Sequence, residues 1–303
     1  MTTGEKQPVA LFCFNRPEQT KLVFEAIREY QPSVLFLIQD GPRRGNEQDV
    51  LQVDEVRALL NVSWPCKVFS RFRQENVGLI EAFNDGLNFI FSQAETCIIL
   101  EDDCVPDDAF FRFMELGLQA FRSDQSVGMI HGYSDDYEPD SDLACYLSRQ
   151  PKVWGWATWR DRHEGFDAKK IPLIRKSGKV SPFDLAQRGF SWAESIAWSR
   201  NLNRATALNT WDYQWCFHVL LNFGFSLAPT TNLVENIGFG DQATHTRIIP
   251  PYIQFQKSKV LKPSNLVVLR NSGGWRDLRE KLGRLKSLVS SEGLEAIRKK
   301  LFD

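Results

Sequence analysis

Thr96-Cys97-Ile98-Ile99-Leu100-Glu101-Asp102-Asp103 is an apolar run that passes without a break into three carboxylates. A short, continuously apolar run of this kind is expected to be a strand buried on both faces, as in a parallel sheet covered by helices. In an open α/β sheet, ligands bind outside the carboxyl ends of the strands. Three adjacent carboxylates at such an end repel one another unless a cation or hydrogen-bond donors compensate them. A hard divalent ion such as Mg²⁺ or Mn²⁺ takes one or two oxygens from protein and the rest from phosphate and water. The competing reading is a solvated acidic turn after a strand.

Working back toward the N-terminus, the same texture repeats. Val9–Phe14 is an apolar run stopped by Asn15-Arg16-Pro17 and followed by helical spacing from Glu18 to Tyr30. Val34–Ile38 is a second run, stopped by Gln39-Asp40-Gly41, and 49–60 reads as a helix. Cys66–Phe72 is a third strand, Asn76-Val77-Gly78-Leu79 a turn, and Ile80–Phe91 a helix. Beyond the triplet, Phe110–Arg122 is helical and Val127–Ile130 is a fifth strand. Alternation of this kind predicts an α/β fold with a mostly parallel sheet. No GxGxxG follows the first strand and no GxxxxGK[ST] occurs, which disfavours a dinucleotide-binding domain and excludes a P-loop. Three strand ends are then expected to open on one crevice. There Asp40 can accept from a base or ribose edge and Arg16 can neutralise a phosphate. The plainer alternatives are a turn Asp before glycine and a loop Arg before proline.

After about Tyr133 the texture changes. An acidic, turn-rich loop (134–142) precedes Trp154-Gly155-Trp156-Ala157-Thr158-Trp159. Full burial of all three Trp is not expected, and at least one is read as a platform for a sugar face. Helices are expected over 191–200 and 210–223, the second carrying Trp211-Asp212-Tyr213-Gln214-Trp215. Asp212 between two Trp suits a base that takes a hydroxyl proton. A helix N-terminal Asp favoured by the dipole is the plainer alternative. Phe217 and Leu221 read as core and His218 as a satisfied helix histidine. His131 is placed at the end of the fifth strand, at the site or on the surface. His245 lies in a polar loop, 236–246, where it is an ordinary loop histidine or a phosphate or metal contact. The segment 275–301 is expected to be an amphipathic basic helix that covers the domain, lies on an anionic membrane or mediates oligomers.

Composition bounds the class. The 303 residues suffice for one large α/β domain, and 43% hydrophobic with 25% charged content suits a globular protein with a sizeable core. A net charge of −1 gives no general attraction for nucleic acid. Six cysteines include no CxxC pair, and Cys13 and Cys97 fall within apolar runs, so they read as buried free thiols in a reducing compartment. Met1–Pro8 lacks an apolar signal region and no apolar run approaches ~20 residues. The expected location is the cytoplasm, with peripheral contact at the inner membrane face as the alternative if the basic C-terminal helix does not simply cover the domain; the chain also reads as a catalytic fragment cut from something larger.

The ordered set Asn15-Arg16-Pro17, Gln39-Asp40-Gly41, Asn76-Val77-Gly78 and Ile99-Leu100-Glu101-Asp102-Asp103 resembles GT-A glycosyltransferases. More narrowly, it is similar to the family of the β-1,2-N-acetylglucosaminyltransferase that initiates N-glycan branching and to bacterial glycosyltransferase-2-like proteins. The resemblance spans about residues 8–247: Trp154-Gly155-Trp156 looks like an acceptor-side segment. Trp211-Asp212-Tyr213-Gln214-Trp215 looks like that family's Trp-Asp-Asp-Trp segment. Gly238-Phe239-Gly240 with His245 looks like its closing loop. It implies a Rossmann-like GT-A sheet with a nucleotide-sugar half (1–133), an acceptor and catalytic half (134–248) and a C-terminal extension (249–303). It also implies that Asp103, with His245, ligates Mn²⁺ or Mg²⁺. Glu101 and Asp102 would meet ribose or donor sugar, Asp40 uracil, Arg16 the nucleotide, and Trp154 and Trp156 the sugar side. Asp212 would be the general base. Tyr213 stands where that family has a second acidic residue. The implied activity is inverting transfer of a sugar from a nucleotide diphosphate, expected to be UDP, to a glycan or lipid-linked acceptor. Two rivals stand beside it. A nucleotidyltransferase needs a basic, glycine-rich triphosphate loop, which Phe14-Asn15-Arg16-Pro17 is not. A carbohydrate-binding protein explains the Trp residues but not the triplet.

Overall fold

A computed structural model of the chain describes residues 6–134, 144–170, 178–208 and 210–239, together with a strand at 267–268. The elements in order are β1 (Val9–Cys13), α1 (Pro17–Tyr30), β2 (Val34–Gln39), α2 (Glu47–Leu59), β3 (Lys67–Phe72), α3 (Leu79–Gln93), β4 (Thr96–Glu101) and β5 (Cys104–Pro106). There follow α4 (Phe110–Ala120), β6 (Val127–His131), β7 (Ala144–Ser148), β8 (Trp156–Trp159), α5 (Arg160–His163), α6 (Pro182–Ala186), α7 (Trp192–Leu208), α8 (Asp212–Asn222), β9 (Phe225–Pro229), β10 (Val234–Asn236) and β11 (Val267–Val268). Nine strands form one mixed, mostly parallel sheet in the order β11-β7-β9-β6-β8-β4-β1-β2-β3, and β5 pairs with β10 in a separate two-stranded ribbon.

Alternate side chains of each central strand enter opposite cores, which is why those strands are apolar throughout. Val9, Leu11, Leu35, Leu37, Ile98 and Leu100 pack with Val23, Phe24 and Ile27 of α1, Val56 of α2 and Phe110 and Phe113 of α4. Ala10, Phe12, Phe36, Ile38, Cys97 and Ile99 pack with Phe83, Leu87 and Ile90 of α3 and Trp211, Trp215 and Val219 of α8. Helices α6 to α8 add a smaller core of Val180, Leu185, Phe190, Leu202, Phe217 and Leu220. Every cysteine is free, and Cys13, Cys97, Cys104, Cys145 and Cys216 are buried. Phe217 is core, as read from the sequence, and His218 is satisfied: its Nε2 lies 2.9 Å from the Arg162 carbonyl and its Nδ1 3.1 Å from Asn222 Nδ2.

The Trp-rich segment supplies β8, which inserts antiparallel between β4 and β6, pairing Ile99 with Trp156 and Thr96 with Trp159. One sequence expectation is corrected. The helix expected over 191–200 runs on to Leu208. No helix among the described residues is long and apolar enough to cross a membrane. The basic C-terminal segment lies outside the described residues.

His163, at the end of α5, stacks on Phe91 at 4.9 Å between ring centroids, and among the described residues its Nε2 has no hydrogen-bond partner. Burial, helped by nearby His218, pushes its pKa down to about 4. An unfolded-chain histidine titrates near ~6.5. Between those values the unfolded chain holds a proton that the native chain does not, so stability falls as pH drops through that window, by at most about 1.4 kcal/mol per unit. His163→Phe keeps the stack and removes the titration. Its thermal midpoint is expected to fall less than the wild type's between about pH 7 and 5; equal falls refute a neutral buried His163.

Candidate active site

Strands β4, β1 and β2 are adjacent and parallel, with Phe12 opposite Glu101 and Cys13 opposite Gln39. Their carboxyl ends therefore leave the sheet at one level, as the apolar runs imply. Pro17 starts α1, so Arg16 becomes the residue before the helix, its carbonyl accepting from Thr20 N at 2.9 Å and Thr20 Oγ1 at 2.7 Å. The Arg16 side chain reaches across to the triplet. Its Nη1 donates to Asp103 Oδ2 at 2.9 Å and its Nη2 to Asp102 Oδ1.

The three carboxylates are not equivalent. Asp102 is 3% exposed and also accepts from Phe14 N at 3.2 Å, so it faces the fold. This revises the sequence reading of Asp102 as a donor-sugar contact: it holds the Phe14–Arg16 turn in place. Asp103 keeps more exposure, 16% of its side chain, and its carbonyl accepts from Ile237 N at 2.8 Å. Gly238 lies directly against the Asp103 carboxylate; a Cβ there would meet Oδ2 at 2.1 Å. Glu101 is half-buried, and among the described residues nothing donates to its carboxylate. Its pKa is pushed well up by burial first, then by the charges of Asp103 and Asp102; Arg16 opposes this and Asp212 adds to it. Burial, with the charge of Asp103, also raises Asp102 against the pull of Arg16. One guanidinium thus meets three carboxyl groups, and the triplet is left undercompensated.

Oxygen donors, excess negative charge and the space left by the missing Cβ at Gly238 fit a hard divalent ion. Among the described residues no closed cage of three or more His, Cys, Asp or Glu side chains exists, so phosphate and water would complete the shell. Asp103 is the residue of the triplet that could hold such an ion. His245 lies outside the described residues.

Asp40 is also revised. Its Oδ1 accepts from Gly41 N (2.9 Å) and Val77 N (3.1 Å), and its Oδ2 from Asn76 Nδ2 (2.9 Å) and Gly78 N (3.1 Å). Both oxygens are committed to the turn that starts α3, an anion at a helix N-terminus. Asp40 thus builds a wall of the crevice, and neither oxygen is left for a nucleobase. Past that wall a shallow concavity is lined by Arg71, Phe72, Arg73, Gln74, Glu75 and Val77.

Asp212 opens α8, close enough to Glu101 for the two charges to interact. Thr210 Oγ1 and Tyr213 N (2.8 Å) both donate to its Oδ1. Among the described residues nothing donates to Oδ2, which is therefore the oxygen able to take a proton. Trp211, just before it, stacks on Phe83 at 3.4 Å.

The Trp residues divide. Trp156 and Trp159 are fully buried, so Trp156 is a core residue in contact with Trp215 (4.8 Å) and Trp211 (6.2 Å), correcting its reading as a sugar contact. Trp154 is partly buried, with its ring edge-on to Tyr133 at 4.6 Å and to Phe239 at 5.8 Å. Gly155 between them has φ +59, a backbone conformation that side-chain-bearing residues rarely adopt, and the Phe110 ring fills its Cβ position. Trp154 thus sits beside the Gly238–Asp103 contact. His131 is buried, its Nδ1 2.9 Å from the Tyr133 carbonyl.

Some supports were not visible in the sequence. Gln39 Nε2 donates to Phe14 O (2.9 Å) and Val53 O (3.1 Å), and Arg57 Nε donates back to Gln39 Oε1 (2.8 Å). Asn15 is held by Asp49 at 2.8 Å. These ties couple β1, β2 and α2 over long separations, and only the polar residue ending an apolar run hinted at them.

No family model and no curated protein matches the chain. Among solved structures, a mannosyltransferase from Pyrobaculum calidifontis in complex with GDP-Man and Mn²⁺ is similar over 73% of this chain and 70% of its own, at 14% identity and a TM-score of 0.40. A UDP-glucose pyrophosphorylase complexed with UDP-glucose is similar over 75% and 91%, at 10% identity and 0.36. An inositol-1-phosphate CTP transferase from T. maritima is similar over 76% and 86%, at 10% identity and 0.37. Likenesses this distant carry no function to this chain, and the site is read from its own residues.

Gly238→Ala tests the contact on Asp103. The native φ of Gly238 is not positive, so the added methyl acts by collision with Oδ2 and not by backbone strain. Mn²⁺ affinity is expected to weaken tenfold or more, about 1.4 kcal/mol, with a nearly unchanged thermal midpoint. Unaltered Mn²⁺ binding shows that Asp103 is not the ligand.

Proposed function

We propose that this chain is a metal-dependent, inverting GT-A glycosyltransferase that moves a sugar from a nucleotide diphosphate, with UDP the expected nucleotide, to an acceptor hydroxyl. The observation that carries the reading is the pairing of two separate chemistries across one crevice. The acidic corner is undercompensated and bridged by Arg16, and Asp212, whose Oδ2 has no donor among the described residues, lies near enough for its charge to act on Glu101.

The placement of the residues supports the following roles. Asp103 holds the divalent cation, which when bound stabilises negative charge on the departing diphosphate. Arg16 meets the phosphates. The Asp40-anchored turn shapes the nucleoside side of the crevice. Trp154 offers a partly exposed ring to a sugar face. Asp212 Oδ2 takes the proton from the acceptor hydroxyl while that oxygen attacks the anomeric carbon. The bond from that carbon to the diphosphate oxygen breaks, and its electrons leave with the diphosphate. A single displacement with one base inverts the anomeric centre. The narrower likeness to the N-acetylglucosaminyltransferase that begins N-glycan branching rests on the same ordered motifs, and so does a glycan or lipid-linked acceptor.

Differential thermal unfolding with UDP, with and without Mn²⁺, separates this from its rivals. UDP with Mn²⁺ is expected to raise the midpoint, with about 2.7 kcal/mol of stabilisation at a hundredfold excess over Kd, and UDP alone to do much less. A stronger response to nucleoside triphosphates favours a nucleotidyltransferase, and no response to any nucleotide rejects both enzymes. Asp212→Asn is expected to retain UDP–Mn²⁺ binding and lose at least about 100-fold in sugar transfer; loss of binding instead removes Asp212 from the role of base.

A further inference from the structure

We infer that Arg16 occupies the cation's side of Asp103 in the ligand-free protein, and that it must exchange partners, from Asp103 to the nucleotide's phosphates, before a divalent ion binds tightly. This rests on the reading of the crevice as a metal and nucleotide-diphosphate site. It adds an order of events: metal and nucleotide bind as a coupled pair because one guanidinium serves two alternative sets of anions.

Four observations support the exchange. First, Arg16 Nη1 donates at 2.9 Å to Asp103 Oδ2, the same oxygen that lies against Gly238. A cation ligated by that oxygen and Nη1 cannot both hold it at full strength, because two like charges would then share one anion. Second, the two bonds of Arg16 differ in surroundings. The Asp102 side chain is 4% exposed and fixed by Phe14 N, whereas the Asp103 side chain is 16% exposed at the crevice. Asp102 is the permanent partner and Asp103 the releasable one. Third, Arg16 is only partly enclosed, 20% of its side chain being exposed, and its backbone is pinned by Thr20. The guanidinium can swing while its root stays in place. Fourth, release of Asp103 alone leaves an arginine that is still paired with Asp102 but has donors open to the crevice. A diphosphate is a strong, multidentate acceptor for such a group.

The coupling is reciprocal. A nucleotide that draws Arg16 away raises the affinity for the cation by the same factor that the cation raises the affinity for the nucleotide. Simple electrostatics makes a different statement. If Arg16 merely repels the cation, its removal helps the cation equally with and without nucleotide.

Mn²⁺ affinity measured by electron paramagnetic resonance on the full chain, without nucleotide and with saturating UDP, decides between these. Variants Arg16→Met and Arg16→Lys are compared with wild type, and circular dichroism checks their folding. The wild type is expected to bind Mn²⁺ at least tenfold more tightly with UDP than without. Arg16→Met is expected to gain roughly tenfold in nucleotide-free Mn²⁺ affinity and to show a UDP effect smaller than the wild type's by about that factor, keeping what phosphate oxygens on the cation supply directly. Arg16→Lys, which keeps the charge but cannot reproduce the two-armed bridge, is expected to fall between the two. Nucleotide-free Mn²⁺ affinity unchanged in both variants overturns the inference, as does an equal gain with and without UDP. If UDP has no effect on any of the three proteins, the nucleotide reading of the crevice fails and the exchange with phosphate falls with it. The nucleotide-free comparison then still reports whether Arg16 guards Asp103.

Discussion

Three carboxylates at the mouth of a buried strand impose the constraint from which the rest of this crevice follows. β4 cannot be shortened to move them into water, because its register with β1 and β8 is set by residues buried on both faces. Their repulsion must be met where they stand. Part of the compensation comes from Arg16, delivered by the parallel register that puts Phe12 opposite Glu101 and by the proline that starts α1 immediately after it. The rest is left open: Glu101, without a donor among the described residues, is pushed toward its neutral form. A stability-optimised protein would remove such a residue or pair it. Keeping it is characteristic of a site that awaits a charged ligand.

A second device carries the far wall. Phe12 stacks on Phe83 at 4.5 Å, Phe83 on Trp211 at 3.4 Å, and Trp156 lies 4.8 Å from Trp215. This run of rings ties β1, α3, β8 and α8 together beneath the crevice. Gly86 makes room for it, since a Cβ there would stand 2.4 Å from the Phe12 ring. Asp212 follows Trp211 directly, so its distance from the acidic corner is set by aromatic packing and not by a flexible loop. Of the three Trp residues that looked like a sugar platform, Trp156 instead packs in the ring cluster with Trp211, Trp159 lies in the opposite core, and Trp154 remains partly open.

The order of strands and helices up to Ile130 was legible because each central strand is apolar on both faces and each is closed by a polar or turn-forming residue. The convergence of Arg16, Asp40 and Glu101-Asp102-Asp103 was legible for the same reason. What stayed hidden depends on distant pairing. Nothing local in Trp156–Trp159 says that it inserts antiparallel between β4 and β6, and with that insertion goes the burial of two Trp rings. The role of Asp40 was misread because its partners, Asn76 to Gly78, lie 36 to 38 residues away. The ribbon of β5 and β10 has three residues in each strand, too few for any periodicity to show. Yet that ribbon carries Gly238 onto Asp103.

Division of labour inside the triplet follows from depth. Charge alone would make Glu101, Asp102 and Asp103 interchangeable ligands. Asp102 lies deepest and spends its oxygens on Phe14 N and Arg16, which fixes the turn that any nucleotide must pass. Removing it would leave Arg16 part-buried beside one carboxylate and a backbone N–H without its acceptor, a structural loss of a few kcal/mol. Glu101 feels the charge of Asp212 as well as those of Asp102 and Asp103, so its charge state is tied to all three. Asp103 alone combines exposure, a neighbour without a side chain and an ion pair that can be given up. One short acidic run can thus contain a scaffold residue, a field-setting residue and a ligand. Depth and not chain order divides them, since the deepest residue lies between the other two.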